Sequence, residues 1–232
     1  MRRRWFIAGL AAVAVVPRRA RAALSFLPVQ IEVPPDPTAS TLTIANSGEP
    51  VTMQARPFVW TEPDSARDVL TPTRDLELSP PFFPLKHGDV QVLRLVFPTA
   101  SAAGGRYFRV LLDELPQPGR TGGVSMVLRI SLPVFMAPTD PAAAARLAWR
   151  IGADGAIEAR NNGDDWDEVT GLALVLPGGE TRTPRLDATS PYLLPGAARR
   201  WRAGVPLRPG ASVRLSGSGR RGRFDLALSV GA

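Results

Sequence analysis

Residues 124–135 read VSMVLRISLPVF, and apolar side chains occupy every second position of this segment. Such alternation is the pattern of a β-strand with one buried face, because successive side chains of a strand point to opposite faces. Pro133 lies on the other face. Since proline has no backbone N–H to donate to a neighbouring strand, it favours a position at the edge of a sheet. We therefore predict a long edge strand over residues 124–135.

The rest of the chain also has the character of a β protein. It contains 21 glycines and 24 prolines, which separate short apolar segments, and it shows no long helical periodicity. The predicted strands are 41–44, 51–60, 90–97, 107–115, 147–151, 156–159, 172–176, 212–215 and 224–230. This pattern predicts an all-β fold built of β-sandwiches. We expect two domains of ordinary size, at residues 23–138 and 139–232.

Residues 1–22 have the features of an export signal. Three arginines precede an apolar run at 5–16, and the small residues Ala20 and Ala22 stand where a signal peptidase cleaves. The apolar run is shorter than the roughly 20 residues that span a bilayer. We therefore expect an exported mature chain that begins near Ala23.

Removal of this signal changes the charge balance. Six of the 28 basic residues lie in residues 1–22, which leaves 22 basic against 21 acidic residues in the mature chain. This balance argues against nucleic acid as a partner. The chain has no cysteine and a single histidine, His87, so disulfides and clusters of histidine or cysteine around a metal are excluded. No convincing nucleophile and base pair is present, and we expect neither enzymatic activity nor a cofactor.

The predicted edge strand allows three interpretations. A long apolar edge exposes unpaired backbone groups and is a hazard that proteins normally cover. A partner could cover it by adding its own strand. Alternatively, the apolar row faces the protein's own core, or two copies of the chain pair edge to edge. A monomeric mass at high concentration would argue against the last of these.

The first half of the chain resembles the PapD-like periplasmic chaperones of pilus assembly. The segments that carry the resemblance are 42–46 (LTIAN), 80–85 (PPFFPL), 91–94 (QVLR), 114–116 (ELP) after 107–109 (YFR), and 130–135 followed by Pro138. Their order and spacing, which span residues 25–138, are more specific than any one of them. The resemblance implies two immunoglobulin-like domains in a boomerang arrangement. It also implies pilin subunits as partners and an outer-membrane usher as a further partner.

The resemblance further implies which residues bind the subunit. In the family, the last strand of the first domain fills the place of a strand that the subunit lacks. Transferred by position, the residues that enter the subunit's open core are Val124, Met126, Leu128 and Ile130. Burial of such side chains is worth roughly 1.5–3 kcal/mol each.

The chain departs from the family at the basic pair that anchors the subunit's terminal carboxylate. The matching positions are Gln30 and Pro133, and neither is charged. Arg109 is our candidate replacement, because it is predicted beside the edge strand and an arginine can grip a carboxylate through two parallel hydrogen bonds. Arg94 and Arg129 are further candidates.

A secreted immunoglobulin-like adhesion or structural module is the alternative function, in which the apolar row is internal core. Two charged segments are assigned no role. We predict that the acidic segment 164–168 is a solvated turn, because it lacks the spacing of a calcium loop. We predict that Arg199 and Arg220 belong to a solvated basic face.

Overall fold

The computed structural model describes residues 24–64, 67–99, 104–116, 127–188 and 190–231, and each regular element in these ranges is a β-strand. The strands before residue 137 are β1 (Leu24–Leu27), β2 (Ile31–Val33), β3 (Ala39–Asn46), β4 (Val51–Asp64), β5 (Arg67–Pro72), β6 (Glu77–Ser79), β7 (Phe82–Leu85), β8 (Val90–Val96), β9 (Arg106–Glu114) and β10 (Arg129–Met136). The strands after residue 146 are β11 (Leu147–Ile151), β12 (Ala156–Asn161), β13 (Asp167–Val175), β14 (Thr181–Arg182), β15 (Arg185–Leu186), β16 (Tyr192–Leu193), β17 (Ala198–Arg202), β18 (Ser212–Gly219) and β19 (Gly222–Ser229). The all-β prediction is confirmed.

Two sheets face each other in the first sandwich. One has the order β1-β3-β8-β6, and the other has the order β2-β10-β9-β4-β5, with β7 paired to β4. Neighbouring strands are antiparallel except β2 and β10, which are parallel. The core lies between the sheets and includes Leu42, Leu93, Phe108 and Val134, all fully buried. Buried residues alternate with exposed or half-buried ones in β3 from Thr41 and in β8 from Val92, as the two-residue repeat of a strand requires.

The second sandwich is built in the same way from the strands that follow β10. Its sheets have the orders β11-β12-β17-β15 and β14-β13-β18-β19, with β16 paired to β13. Ile157, Leu174 and Leu215 are fully buried in its core. The register of β13 against β18 shifts between Thr170 and Ala173. Gly171 lies at this bulge with φ 61°, a left-handed conformation that favours glycine.

The β4–β5 hairpin is longer than predicted. The predicted strand ends at Trp60, but β4 continues to Asp64, and β5 returns beside it with Leu70 opposite Trp60. The polar residues Thr61 and Glu62 interrupt the apolar pattern, which is why the sequence suggested an end there. Glu62 is nevertheless buried, because the extended part of β4 packs against the second sandwich.

The predicted edge strand is observed as β10, with different bounds. Val127 and Leu128 precede β10, while Val124 and Met126 lie outside the described residues.

The division of the chain into domains at residues 138 and 139 stays a prediction. Within the described ranges, no helix has the length and hydrophobicity that crossing a membrane would take.

The first core supplies a direct test of this packing. Leu42 is fully buried in β3, while its neighbour Thr41 is exposed. We expect Leu42→Ala to lower the free energy of unfolding by about 2–5 kcal/mol, because it removes buried methyl groups and leaves a cavity. Thr41→Ala should change it by less than about 0.5 kcal/mol. Denaturant unfolding of both variants checks this, and similar losses for the two would contradict the assigned core.

Candidate functional site

The outer edge of β10 is open over most of its length. On one side, β10 pairs with β9 along the whole strand, from Arg129 opposite Asp113 to Met136 opposite Arg106. On the other side, β2 pairs with β10 only from Val134 onward. Among the described residues, no strand pairs with that side over residues 129–133. Pro133 closes this open part, and its lack of an N–H agrees with the predicted edge position.

The apolar row divides between the core and solvent. Leu132 and Val134 are buried in the first core, and Ile130 packs partly against it. Leu128, just before β10, is 46% exposed. The interpretation that the row faces the protein's own core therefore holds for its second half. The assignment of Val124, Met126, Leu128 and Ile130 to subunit binding stays a prediction.

A charged group lies beside the exposed start of β10. Asp113 on β9 accepts hydrogen bonds from Arg129 and, at 2.6 Å, from Nη2 of Arg56. Burial raises the pKa of Asp113, but these hydrogen bonds outweigh it and hold the pKa below its ordinary value. The Arg129 side chain is 65% exposed. Of the three candidate arginines, Arg129 is the one on the edge strand itself.

Arg109 lies where the sequence predicted, but its side chain is enclosed. It stands opposite Pro133 on β9 and is 6% exposed. Its guanidinium carbon lies 3.7 Å from the centre of the Trp60 ring, and Nη2 donates to Asp68 Oδ2 at 3.2 Å. The carboxylate that Arg109 holds is thus the protein's own. A carboxylate from a partner would have to displace Asp68.

Arg94 lies away from this edge. It is an exposed residue of β8, where it pairs with Thr41 and Ser79 in the sheet opposite to that of β10. The structure therefore brings Arg109 and Arg129 to the β9–β10 pair and leaves Arg94 outside it.

Of the two positions that match the family's basic pair, Gln30 contacts the second sandwich. Gln30 Oε1 accepts a hydrogen bond from the Tyr192 hydroxyl at 2.9 Å, and Gln30 Nε2 donates to Glu32 at 2.9 Å. Pro133 is buried. Arg220 of the second sandwich approaches Glu32, with its Nη2 3.4 Å from Glu32 Oε2. Gln30 and Glu32 thus make polar contacts that join the two sandwiches.

A buried ion pair joins the two sandwiches. Arg199 on β17 is 1% exposed, and it donates to the buried carboxylate of Glu62 on β4 and to Asp68 at 3.3 Å. The other Glu62 oxygen accepts the Leu194 N–H at 2.9 Å. Loss of one partner would leave the other buried without a counter-charge. The prediction that Arg199 belongs to a solvated face is wrong, because the sequence does not show that the first sandwich covers it.

Aromatic rings complete the junction. Phe135 of β10 stacks on Trp166 at 3.6 Å between ring centres, and Trp60, Tyr107 and Tyr192 surround the pair. The prediction of a solvated turn at 164–168 is therefore wrong for its middle: Asp165, Trp166 and Asp167 are buried. Among the described residues, no group of three or more histidine, aspartate or glutamate side chains could hold a metal ion.

The pH dependence of stability tests the junction. Burial raises the pKa of Glu62 to about 7 from an ordinary value of 4.5, although Arg199 and the Leu194 N–H act in the opposite direction. Between these pH values the folded protein binds a proton that the unfolded chain does not. The free energy of unfolding should therefore fall as the pH rises from 4.5 to 7, by at most about 3 kcal/mol from this group.

Glu62→Gln replaces the titrating carboxyl group with a neutral amide, and we expect it to flatten the pH dependence of stability between pH 5 and 8. Urea unfolding at several pH values measures the slope. The matched control is Glu77→Gln, which alters an exposed carboxyl group and should leave the wild-type slope unchanged. An unchanged slope in Glu62→Gln would contradict the raised pKa.

Comparison with solved structures supports the fold. The chain superposes on the Pseudomonas aeruginosa CupB2 chaperone with a TM-score of 0.58 and 18% identity, over 89% of this chain and 100% of that one. It superposes on a chain of the Salmonella enterica SafA pilin–SafB chaperone complex with a TM-score of 0.61 and 15% identity, over 91% of this chain and 99% of that one. For a chain of the CsuC–CsuE chaperone–tip adhesion subunit complex of Acinetobacter baumannii, the TM-score is 0.57 and the identity 18%, over 77% of this chain and 89% of that one. The predicted pair of immunoglobulin-like sandwiches is confirmed.

Sequence comparison assigns the family. No curated protein sequence matches the chain significantly. The family model of the PapD N-terminal domain, described as a pili and flagellar-assembly chaperone, matches residues 23–142, more than half of the chain. The chain therefore belongs to the PapD family of pili and flagellar-assembly chaperones.

Proposed function

We propose that this chain is a periplasmic chaperone that binds pilus subunits through the open edge of β10. One observation carries the proposal: in a chain of the PapD family, backbone at residues 129–133 is unpaired on one side, directly after an exposed Leu128. Such an edge is suited to receive a strand from another protein. Function by binding involves no chemical step.

The subunit strand pairs with this edge, and the apolar row enters the subunit's open core. Backbone hydrogen bonds along residues 129–133 set the register. Val124, Met126, Leu128 and Ile130 are the side chains that we assign to the contact. Leu128 is already exposed and Ile130 is half-buried, so both retain apolar surface that a partner can cover.

Solved relatives support subunits as the partners. The SafB chaperone is seen with a pilin, and CsuC with a tip adhesion subunit.

The proposed periplasmic location further rests on the export signal at residues 1–22. These residues lie outside the described part of the chain. We propose domains at 23–138 and 139–232, and the outer-membrane usher as a second partner. Self-association through the open edge stays a prediction.

Arg129 is the candidate that we favour for contact with a carboxylate of the subunit. Its side chain is largely exposed on the edge strand, and Arg56 remains to neutralise Asp113 if Arg129 turns to the subunit. Arg109 is less suited because Asp68 and Trp60 enclose it. Arg94 is less suited because it lies in the opposite sheet.

The proposal predicts that a charge on the exposed row abolishes partner binding without loss of folding. Leu128→Asp places a carboxylate where an apolar side chain would be buried in the subunit, so its desolvation opposes binding. Met126→Asp should act in the same way. The matched control is Val92→Asp, at a residue 51% exposed on β8 in the other sheet. We expect the control to bind as the wild type does.

The measurement is purification of the mature protein from the periplasm of its own host, with identification of co-purified proteins by mass spectrometry. Small partners in about equal amount, present with wild type and Val92→Asp but absent with Leu128→Asp, would support the proposal. Partners retained by a folded Leu128→Asp would contradict it. A monomer without partners, under conditions where its neighbouring genes are expressed, would favour the secreted adhesion or structural module.

A further inference from the structure

A second open edge lies in the second sandwich, far along the chain from β10. It is a groove of about 420 Å³ between β11 and β19. Leu147 and Trp149 of β11 form one wall, and Phe224, Leu226 and Leu228 of β19 form the other. These two strands are the outermost strands of their sheets on this side.

The Trp149 and Phe224 rings lie 5.2 Å apart between the two edge strands, and the backbones of the two edges are joined at one end. There, Gly231 N–H donates to the Ile151 carbonyl oxygen at 2.8 Å. Beyond that contact, β19 pairs with β18 alone and β11 with β12 alone among the described residues. Each strand thus presents a row of unpaired backbone groups toward the groove.

The apolar side chains along the groove are incompletely buried. On β18, the inward-facing Val213 and Leu215 are buried in the core. On β19, the alternate residues Phe224, Leu226 and Leu228 are only half-buried, and no residue of that strand is fully buried. Their two-residue spacing, roughly 7 Å, equals the side-chain repeat of an extended peptide. The groove therefore offers both backbone pairing and apolar contacts to an added strand.

The charged residues at the rim of the groove indicate which kind of ligand it favours. Arg221 and Arg223 line the groove, are exposed, and have no ion pair among the described residues. The one acidic residue of the lining, Asp167, is occupied, because its Oδ1 accepts the N–H groups of Glu168 and Arg220 at 2.8 Å each. Two free positive charges beside an apolar groove favour a ligand that is apolar and negatively charged.

We propose that this groove binds an extended segment of a protein partner in which apolar residues alternate with acidic ones. The segment adds to the free edge of β19, its apolar side chains cover Leu226 and its neighbours, and its carboxylates meet Arg221 and Arg223. This surface is separate from the β10 edge, so its occupation does not depend on the function proposed above.

Fluorescence anisotropy with labelled synthetic peptides tests the proposal. One probe alternates aspartate with valine and leucine over nine residues, and the second has lysine in place of aspartate. We expect the aspartate peptide to bind and the lysine peptide to bind at least tenfold more weakly. The double variant Arg221→Glu, Arg223→Glu should lower the affinity for the aspartate peptide at least tenfold and raise the affinity for the lysine peptide.

The matched control carries Arg160→Glu and Arg208→Glu, which make the same charge change at exposed positions outside the groove. It should bind the aspartate peptide as the wild type does. Leu226→Asp tests the apolar wall separately and should also weaken binding. Absence of binding to the aspartate peptide, or equal weakening by both double variants, would overturn the proposal. Binding of phosphatidylglycerol vesicles in preference to the peptide would overturn it as well and would assign the groove to a membrane surface.

Discussion

The arrangement of the whole molecule depends on one buried ion pair, between Arg199 of the second sandwich and Glu62 of the first. Neither side chain reaches solvent, and loss of one partner of a buried ion pair costs about 3–5 kcal/mol. The pair holds the far end of β4 against β17. With the stacked rings of Phe135 and Trp166 beside it, it fixes the position of one sandwich on the other.

This junction determines what β10 can do. The end of β10 is held on three sides, because Val134 lies in the core, Phe135 stacks at the junction and β2 pairs with the last residues. The start of β10 is restrained only by its pairing with β9 and by the partial packing of Ile130 against the core. A single strand is therefore anchored at one end by the protein's own packing, while the other end retains an open edge and an exposed Leu128. Anchorage of this kind keeps a binding edge extended before a partner arrives, which reduces the entropy lost on binding.

The sequence was informative wherever local periodicity decides structure. The alternation through Ile130, Leu132 and Val134 predicted a strand, and Pro133 predicted its place at an edge. The register even puts Arg109 beside that edge, as expected. What the sequence could not show is the environment of charged residues. Asp68, Trp60 and Arg109 come together from distant strands, and nothing near Arg199 in the sequence distinguishes it from the exposed arginines beside it. Burial of a charge is decided by tertiary contacts, which a local pattern does not contain.

The partial pairing of β2 with β10 has a consequence for any strand that joins this edge. β2 occupies the register positions opposite Val134, Phe135 and Met136, and the position before them is a proline. An incoming strand therefore meets a physical stop at Pro133 and cannot slide further toward the junction. Alternating apolar residues alone would accept several registers, because a slip of two residues keeps the same side chains on the same face. A stop at Pro133 selects one of these registers. The short β2 strand thus limits how far an added strand can extend along β10. The chaperone, and not the added strand, sets where that strand ends.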